Sequence, residues 1–475
     1  GIPCVAVPNS HYIHPDEEIL YRVLVSIHTG TALAFQHAEK ETRLPLHLPE
    51  PVEMTKRFRD YPEAIENTFH VAARCELDLS LGRVIFPNFN LPEGETAASC
   101  LRKLCHEGAV RRYGPLSQQI RDRLEHELSI IEHAGYCEYF LMTWDICREA
   151  QTRGIWAVAR GSAADSLVCY VLGIRHVCPI EFDLYFERFL NPERMIHSGL
   201  ADIDLDVPWD RRDELVEYVY QRYGFEHCAT LSSMVCMHAR AAVGEVGKVL
   251  GLSEKEVRAF TKRLPRTSAA RLEQAARLLP ECRDLPLDEE PYRSVLAIAS
   301  RLEGIPRHVG MHPCGLVVSR EPLTDVVPLQ KSAKGPVVTQ YDMEPAEELG
   351  LVKLDLLGQA GLTVITDTME MIAQRHGVML NPYDLPPEDE QTWNLIASGQ
   401  ARGCFQIESP AMCNLLKMLK CRDMECLVAA LSIIRPGAAN QGKMLQFARR
   451  YQGMEPITYP HPSLQGALER TYGIM

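Results

Sequence analysis

The chain has 475 residues, of which 46% are hydrophobic and 24% charged, and carries a formal net charge of -13. At roughly 150 residues per domain this is about three domains' worth of chain, each able to bury a core, which excludes a disulfide-stapled miniprotein, a disordered tail and a fibrous repeat. The acidic balance argues against a wholly basic nucleic-acid binder, yet leaves room for a local basic surface, because fields are screened beyond about 8 Å. The 16 cysteines are scattered, and none falls in a C-x-x-C pair. They read as reduced thiols of a cytoplasmic protein and not as a zinc ribbon or disulfide framework. No apolar run approaches the 18 or so residues of a membrane span, the longest being Leu427 to Ile434, so no membrane partner is expected. The chain starts at Gly1 and stops at Met475 directly after Thr471-Tyr-Gly-Ile, which reads as an internal segment of a longer protein.

Apolar residues return to one helical face from about Ser117 to Arg153, through Ile120, Leu124, Leu128, Ile131, Phe140, Leu141 and Trp144. Gly154 closes that segment. Ile155-Trp-Ala-Val then leads into Arg160-Gly-Ser-Ala-Ala-Asp-Ser166, and Leu167, Tyr170, Val171 and Ile174 follow at helical spacing, predicting strand, tight turn and helix. Asp202-Ile-Asp-Leu-Asp-Val207 alternates strictly as a strand does, and an amphipathic helix is expected from about Asp210 to Tyr223. From Arg240 to Arg277 the pattern is helical and carries nine Lys or Arg against four Glu, a basic module within an acidic whole. β character returns at Gly315–Ser319, Val337–Gln340 and Leu351–Leu357, after which helices resume to the end. Pro/Gly-rich stretches near Pro87–Gly94 and Pro382–Pro387 are the expected linkers, and no fixed-period repeat is present.

Alternation places Asp202, Asp204 and Asp206 on one side of their strand and Ile203, Leu205 and Val207 on the other. Three like charges on one face either raise one another's pKa or hold a hard cation such as Mg²⁺ through oxygen. A solvated acidic edge strand shows the same pattern. Lys353-Leu-Asp355 also alternates, with lysine and aspartate on one face. Carboxylates from neighbouring strands suit the two-metal arrangement for in-line phosphoryl transfer, whereas alone this pair reads as a surface ion pair. The turn Arg160-Gly161-Ser162 fits an anion site, with unpaired backbone N–H groups, room for close approach at glycine and one added positive charge; a plain serine cap is the alternative. No Walker A motif exists, since Gly247-Lys248 is followed by Val249, and no G-x-G-x-x-G occurs.

Together, several motifs resemble the α subunit of bacterial DNA polymerase III, the C-family replicative polymerases. They are Gly161-Ser-Ala-Ala-Asp-Ser-Leu167 with Leu172-Gly-Ile174, Phe186-Glu-Arg-Phe-Leu-Asn-Pro-Glu-Arg194, Asp202-Ile-Asp-Leu-Asp206, Leu351-Val-Lys-Leu-Asp-Leu-Leu-Gly358, Gly403-Cys-Phe-Gln-Ile-Glu-Ser409 and Ile434-Arg-Pro-Gly437. The resemblance implies a mixed α/β fold: a nucleotidyltransferase-type palm with an inserted helical thumb and a mainly helical fingers portion. It divides the chain into the end of a PHP domain with linker (1–86), palm (87–236), thumb (237–312), palm again (313–360) and truncated fingers (361–475). It implies template-directed DNA synthesis from dNTPs on a primer-template, in replication or repair, with two Mg²⁺ ions. Sliding-clamp and other replisome partners would bind through regions outside this segment.

By the same resemblance, Asp204, Asp206 and Asp355 look like the metal-binding catalytic triad, with Asp202 outside it. Arg160, Gly161, Ser162, Arg194, Lys353 and Arg435 look like nucleotide-binding residues, and Lys262, Arg263 and Arg266 are expected to hold DNA phosphates. The family pattern is departed from at Asp165, where Gly or Asn is usual, at Ala201 and Val207 flanking the acids, and at Asn9 before His11, where related PHP domains carry an acid. We expect Asp165 to cap the following helix, and His11, His14, His308 and His312 to be structural or hydrogen-bonding groups and not metal ligands. A non-catalytic DNA-binding or scaffold subunit is the competing reading, and a PHP metallohydrolase a third.

Overall fold

A computed structural model of the chain describes residues 2–35, 45–79, 81–191, 201–434 and 442–474. The architecture is mixed α/β. Strands β1 (Val158–Arg160), β2 (Asp204–Pro208), β3 (Cys228–Cys236), β4 (Pro306–Val318), β5 (Leu329–Lys331), β6 (Val337–Thr339) and β7 (Lys353–Gln359) form one sheet in the order β1-β2-β7-β4-β3-β6-β5. The alternation expected for 202–207 is present: Ile203, Leu205 and Val207 are fully buried, while Asp202, Asp204 and Asp206 are half-buried. On β7 both faces are covered, so Leu354, Asp355 and Leu356 are all buried. By its internal contacts the chain divides into two units, one of Gly1–Asp145, Gly161–Asp204 and Glu217–Asp355, the other of Ile146–Arg160, Leu205–Val216 and Leu356–Met475.

In the first unit, β4 runs antiparallel to both β3 and β7, with Gly315 opposite Asp355 and Val317 opposite Lys353. The helical stretch between β3 and β4, Ala239–Val249, Glu254–Arg263, Ala269–Leu278 and Tyr292–Leu302, builds its own apolar core from Val243, Val246, Phe260, Leu272, Val295 and Leu302. Leu20 and Val23 of the helix Glu18–Thr29 enter that same core, so the N-terminal stretch and the insert are packed as one body. The segment from Ser117 to Arg153 is not one helix but two, Gln118–His133 and Cys137–Thr152. Gly135, at φ 74°, makes the break between them, a conformation that an L residue adopts only at a cost.

The second unit's core gathers Met412, Leu415, Leu416, Leu419, Cys426, Ala430 and Phe447 from the helices Pro410–Leu419, Met424–Ile433 and Lys443–Tyr451. Arg450 is buried there and spends its guanidinium on Glu455 (3.2 Å), the Thr458 and Tyr472 carbonyls (3.1 and 3.0 Å) and the Thr458 hydroxyl (2.7 Å). One buried side chain thereby fixes the path of the segment that follows its helix. The Pro382–Pro387 stretch includes a 3₁₀ turn, Pro382–Asp384, and Tyr383 stacks on Trp156 with ring centroids 5.2 Å apart. No helix of the described residues is long and apolar enough to cross a membrane, and no disulfide forms among them.

Candidate active site

Asp202, Asp204 and Asp355 each bring one carboxylate oxygen to within 4.8 Å of the others. Asp355 is 5% exposed, and its Oδ1 is buried without a hydrogen-bond partner. The space it occupies depends on Gly315 across the strand pair, where a Cβ would lie 3.3 Å from that oxygen and 2.8 Å from His312 Nδ1. Lys353 Nζ lies 3.0 Å from Asp202 Oδ2 and 3.0 Å from Asp355 Oδ2. Burial works to lower the lysine's pKa, but the charges of Asp202 and Asp355 outweigh it and hold the ammonium well above its ordinary value. A buried carboxylate oxygen with an open coordination position, beside two further carboxylates, is the donor set of a hard divalent cation. A second grouping shares Asp355 with His312 and Cys314. There, however, His312 Nδ1 already accepts the Gly315 N–H at 2.7 Å, so His312 takes the hydrogen-bonding role expected of it and the all-carboxylate group is the better metal site.

Two tyrosines hold the approach to this group. The Tyr139 hydroxyl accepts from the Ile203 N–H at 2.9 Å and donates to the Lys353 carbonyl at 3.0 Å, and so ties the residue beside Asp202 to the residue that contacts it. The Tyr136 hydroxyl accepts from the Ala201 N–H at 2.9 Å. Both rings are fully buried, and burial pushes the Tyr136 hydroxyl up to about 12, so it stays protonated across the physiological range. On the sequence this helix face reads as apolar core and neither tyrosine stands out; their polar tips are the signal that a buried tyrosine carries.

Asp206, two residues beyond Asp204 on β2, makes different contacts: Gln359 Nε2 donates to its Oδ1 at 3.2 Å and Arg160 Nε lies 3.6 Å from the same oxygen. Arg160, at the end of β1, is exposed. Gly161 follows at φ 70° with open space where a Cβ would sit, so it is required for its backbone conformation and leaves its surface clear; Ser162 is half-buried.

This turn does not open an α-helix at Gly161 as expected. Gly161–Asp165 is a 3₁₀ turn, and the helix, Leu167–Val171, begins after Ser166. Its N-terminus is satisfied from within the protein. Ser166 Oγ accepts from Cys169 N at 3.2 Å, and the fully buried Glu127 accepts from Ser166 Oγ at 2.8 Å and from Val168 N at 3.1 Å. Burial raises the Glu127 carboxyl, against the N–H donors and the Arg123 charge that lower it. Arg123 Nε donates to Glu127 at 2.7 Å and its Nη2 to the Asp165 and Leu184 carbonyls at 3.2 and 3.0 Å, clamping the turn. Asp165 is therefore not the cap. Its carboxylate is buried, with Arg188 Nη1 3.4 Å from Oδ2, and burial raises its pKa against the pull of Arg188, Arg175 and Arg123. The anion site expected at this helix end is filled by Glu127.

Lys262 and Arg266 are exposed at the end of the helix Glu254–Arg263 and just beyond it. Arg263 is exposed too, with Nε and Nη2 donating to the Glu281 carbonyl at 3.1 and 2.7 Å. The insert is also less basic than its first half: residues 278–303 add six acids against three arginines, and Arg277 pairs with Asp288 while Asp284 lies 3.8 Å from Arg263. Arg194 and Arg435 lie outside the described residues. In the N-terminal stretch, His11 lies against Tyr21 with ring centroids 4.9 Å apart, and neither His11 nor His14 belongs to a metal-capable group among the described residues.

Residues 99–358 match the family described as the bacterial DNA polymerase III alpha NTPase domain, and residues 361–475 match the bacterial DNA polymerase III alpha subunit finger domain. The whole chain is 39% identical to an error-prone DNA polymerase of Symbiobacterium thermophilum, 38% to a DNA polymerase III subunit alpha of Bacillus subtilis and 32% to one of Thermus aquaticus. It covers 43%, 42% and 44% of their lengths, so the chain spans less than half of each of these curated relatives. Two adjoining family matches in the same order, one of them spanning the carboxylate group and the turn at Gly161, place the chain in the bacterial DNA polymerase III α-subunit family.

Proposed function

We propose that the protein to which this chain belongs is a DNA-directed DNA polymerase, extending a primer 3′-hydroxyl with dNTPs on a template, in the cytoplasm and together with clamp and replisome subunits bound elsewhere. In this reading residues 87–236 and 313–360 are the palm, 237–312 the thumb, 361–475 the fingers and 1–86 the end of a PHP domain. Asp204, Asp206 and Asp355 are the metal-binding acids, and Arg160, Gly161, Ser162 and Lys353 face the nucleotide, with Arg194 and Arg435 from the segments not described. The supporting observation, for two of these three acids, is the group of Asp202, Asp204 and Asp355 with a buried, unpartnered Asp355 oxygen; Asp206 lies outside that group and is carried by the family resemblance alone. When bound there, two Mg²⁺ ions would activate the 3′-hydroxyl and stabilise the leaving pyrophosphate. The chain's own part is to hold the carboxylates through Tyr136, Tyr139 and the Gly315 gap, to set the turn at Gly161 through Arg123 and Glu127, and to offer the exposed Lys262 and Arg266 to duplex phosphates. In the full-length enzyme, Asp204→Asn or Asp355→Asn abolishes primer extension and leaves primer-template binding within about twofold, because a metal ligand and not a phosphate contact is removed. Near-normal extension by either variant would falsify the assignment.

A further inference from the structure

The arrangement of Lys353 is more than that of a neighbouring positive charge. Its ammonium sits between two of the three carboxylates, 3.0 Å from Asp202 Oδ2 and 3.0 Å from Asp355 Oδ2, and the side chain is only 13% exposed. Without a cation, three carboxylate oxygens within 4.8 Å of one another, one of them buried, would repel one another. Lys353 is held there from its backbone outward. Its carbonyl accepts the Tyr139 hydroxyl at 3.0 Å, and its register opposite Val317 aims it along the same strand face as Asp355. Asp355 Oδ1 stays unpartnered even so, which shows that the ammonium satisfies one oxygen of that carboxylate and leaves the other.

We propose that Lys353 is the resident counter-cation of this carboxylate group, neutralising Asp202 and Asp355 while no divalent ion is bound and competing with such an ion for them. The proposal rests on the metal-site reading above, taken at the three acids that lie together, Asp202, Asp204 and Asp355. Competition follows from like charge: an ammonium hydrogen-bonded to a ligand carboxylate opposes a second positive charge on that carboxylate, and it must release at least one arm as the ion is taken up. Asp202, whose side chain is 39% exposed against 8% for Asp355, is the arm able to let go toward solvent. Lys353 thus acts as a positioning residue that keeps the metal-free site folded and makes metal uptake conditional on its own displacement, for which an incoming polyanion offers the ammonium a new partner.

The test is Mn²⁺ binding to the full chain without DNA or nucleotide, followed by the electron paramagnetic resonance signal of the free ion, with thermal melting on the same samples. Lys353→Met should bind Mn²⁺ roughly fivefold or more tightly than the wild type, as expected for two competitors coupled through one site, and should melt lower without metal and recover with it. Lys353→Arg, which keeps the charge, should show wild-type affinity. If Lys353→Met gives no cooperative melt, Lys353→Gln is the second neutral variant. Unchanged or weaker Mn²⁺ binding in the neutral variant overturns the proposal while leaving the metal site intact. Absence of Mn²⁺ binding in the wild type and every variant overturns the metal-site reading and this proposal together.

Discussion

Replacing Tyr139 by phenylalanine removes one oxygen atom from a fully buried ring and nothing else, yet that oxygen serves two backbone groups 150 residues apart in sequence, the Ile203 N–H at 2.9 Å and the Lys353 carbonyl at 3.0 Å. The N–H is the costlier loss, because a donor has one bond to make and a buried, unsatisfied one costs about 1–3 kcal/mol. The carbonyl has a second lone pair and lies on a strand paired with β4, so its share is nearer the net value of one hydrogen bond, about 1 kcal/mol. The expected loss is therefore about 2–4 kcal/mol, a large fraction of a domain's usual 5–15 kcal/mol. Tyr136→Phe, which strands only the half-buried Ala201 N–H, should lose about 1 kcal/mol. Urea unfolding of the two variants and the wild type measures this difference, with unchanged slope showing that the native fold is kept. A loss below about 0.5 kcal/mol for Tyr139→Phe would mean that water replaces the hydroxyl and that the bridge holds neither strand.

Three further outcomes follow from the contacts around the turn and the insert. Ser166→Ala, which removes the cap on Cys169 and a donor to Glu127, should lower unfolding stability by about 1–2 kcal/mol in urea titrations, and an unaltered midpoint would refute the cap. Asp165→Asn should behave oppositely. The folded Asp165 carboxyl is raised by burial, so the wild type loses stability as pH climbs from the ordinary aspartate value of about 3.9 through the raised one; thermal melts from pH 4 to 8 should show the asparagine variant gaining relative stability with pH, and a relative loss would overturn the sign. Exchanging Lys262 and Arg266 together for glutamine should reduce the log–log salt slope of primer-template binding by roughly 1.8, about 0.9 per lost phosphate contact, whereas Arg263→Gln should leave the slope unchanged because its guanidinium is held by the Glu281 carbonyl.

What was legible in the sequence was local. Period-two alternation identified the strand through Asp202, Asp204 and Asp206 because burial of Ile203, Leu205 and Val207 leaves no other way to pack it, and helical periodicity located the face of 117–153 although not the break that Gly135 makes. The partners were not legible. Asp202 meets Lys353 across 151 positions and Tyr139 meets it across 214, distances at which no spacing rule operates and only the sheet order brings residues together. The insert is less basic than residues 240–277 alone for a related reason: the acids that offset it, Asp284 and Asp288, lie just past that stretch and fold back on Arg263 and Arg277.

Asp165 and Ser166 show where local preference stops deciding. Both residue types are strong N-caps, and they are adjacent. The choice is made by Glu127, 39 residues away from Ser166, whose buried carboxylate takes the Ser166 hydroxyl and the Val168 N–H and so leaves no donor at the helix end for a second anion. Asp165 is then turned toward the arginines, Arg188 nearest at 3.4 Å, whose charges only partly offset the cost of burying its carboxylate. The α-helical N–H groups are thus committed to the protein's own carboxylate, so the proposed phosphate contact at this turn rests on Arg160 and the Gly161 backbone and not on the helix end.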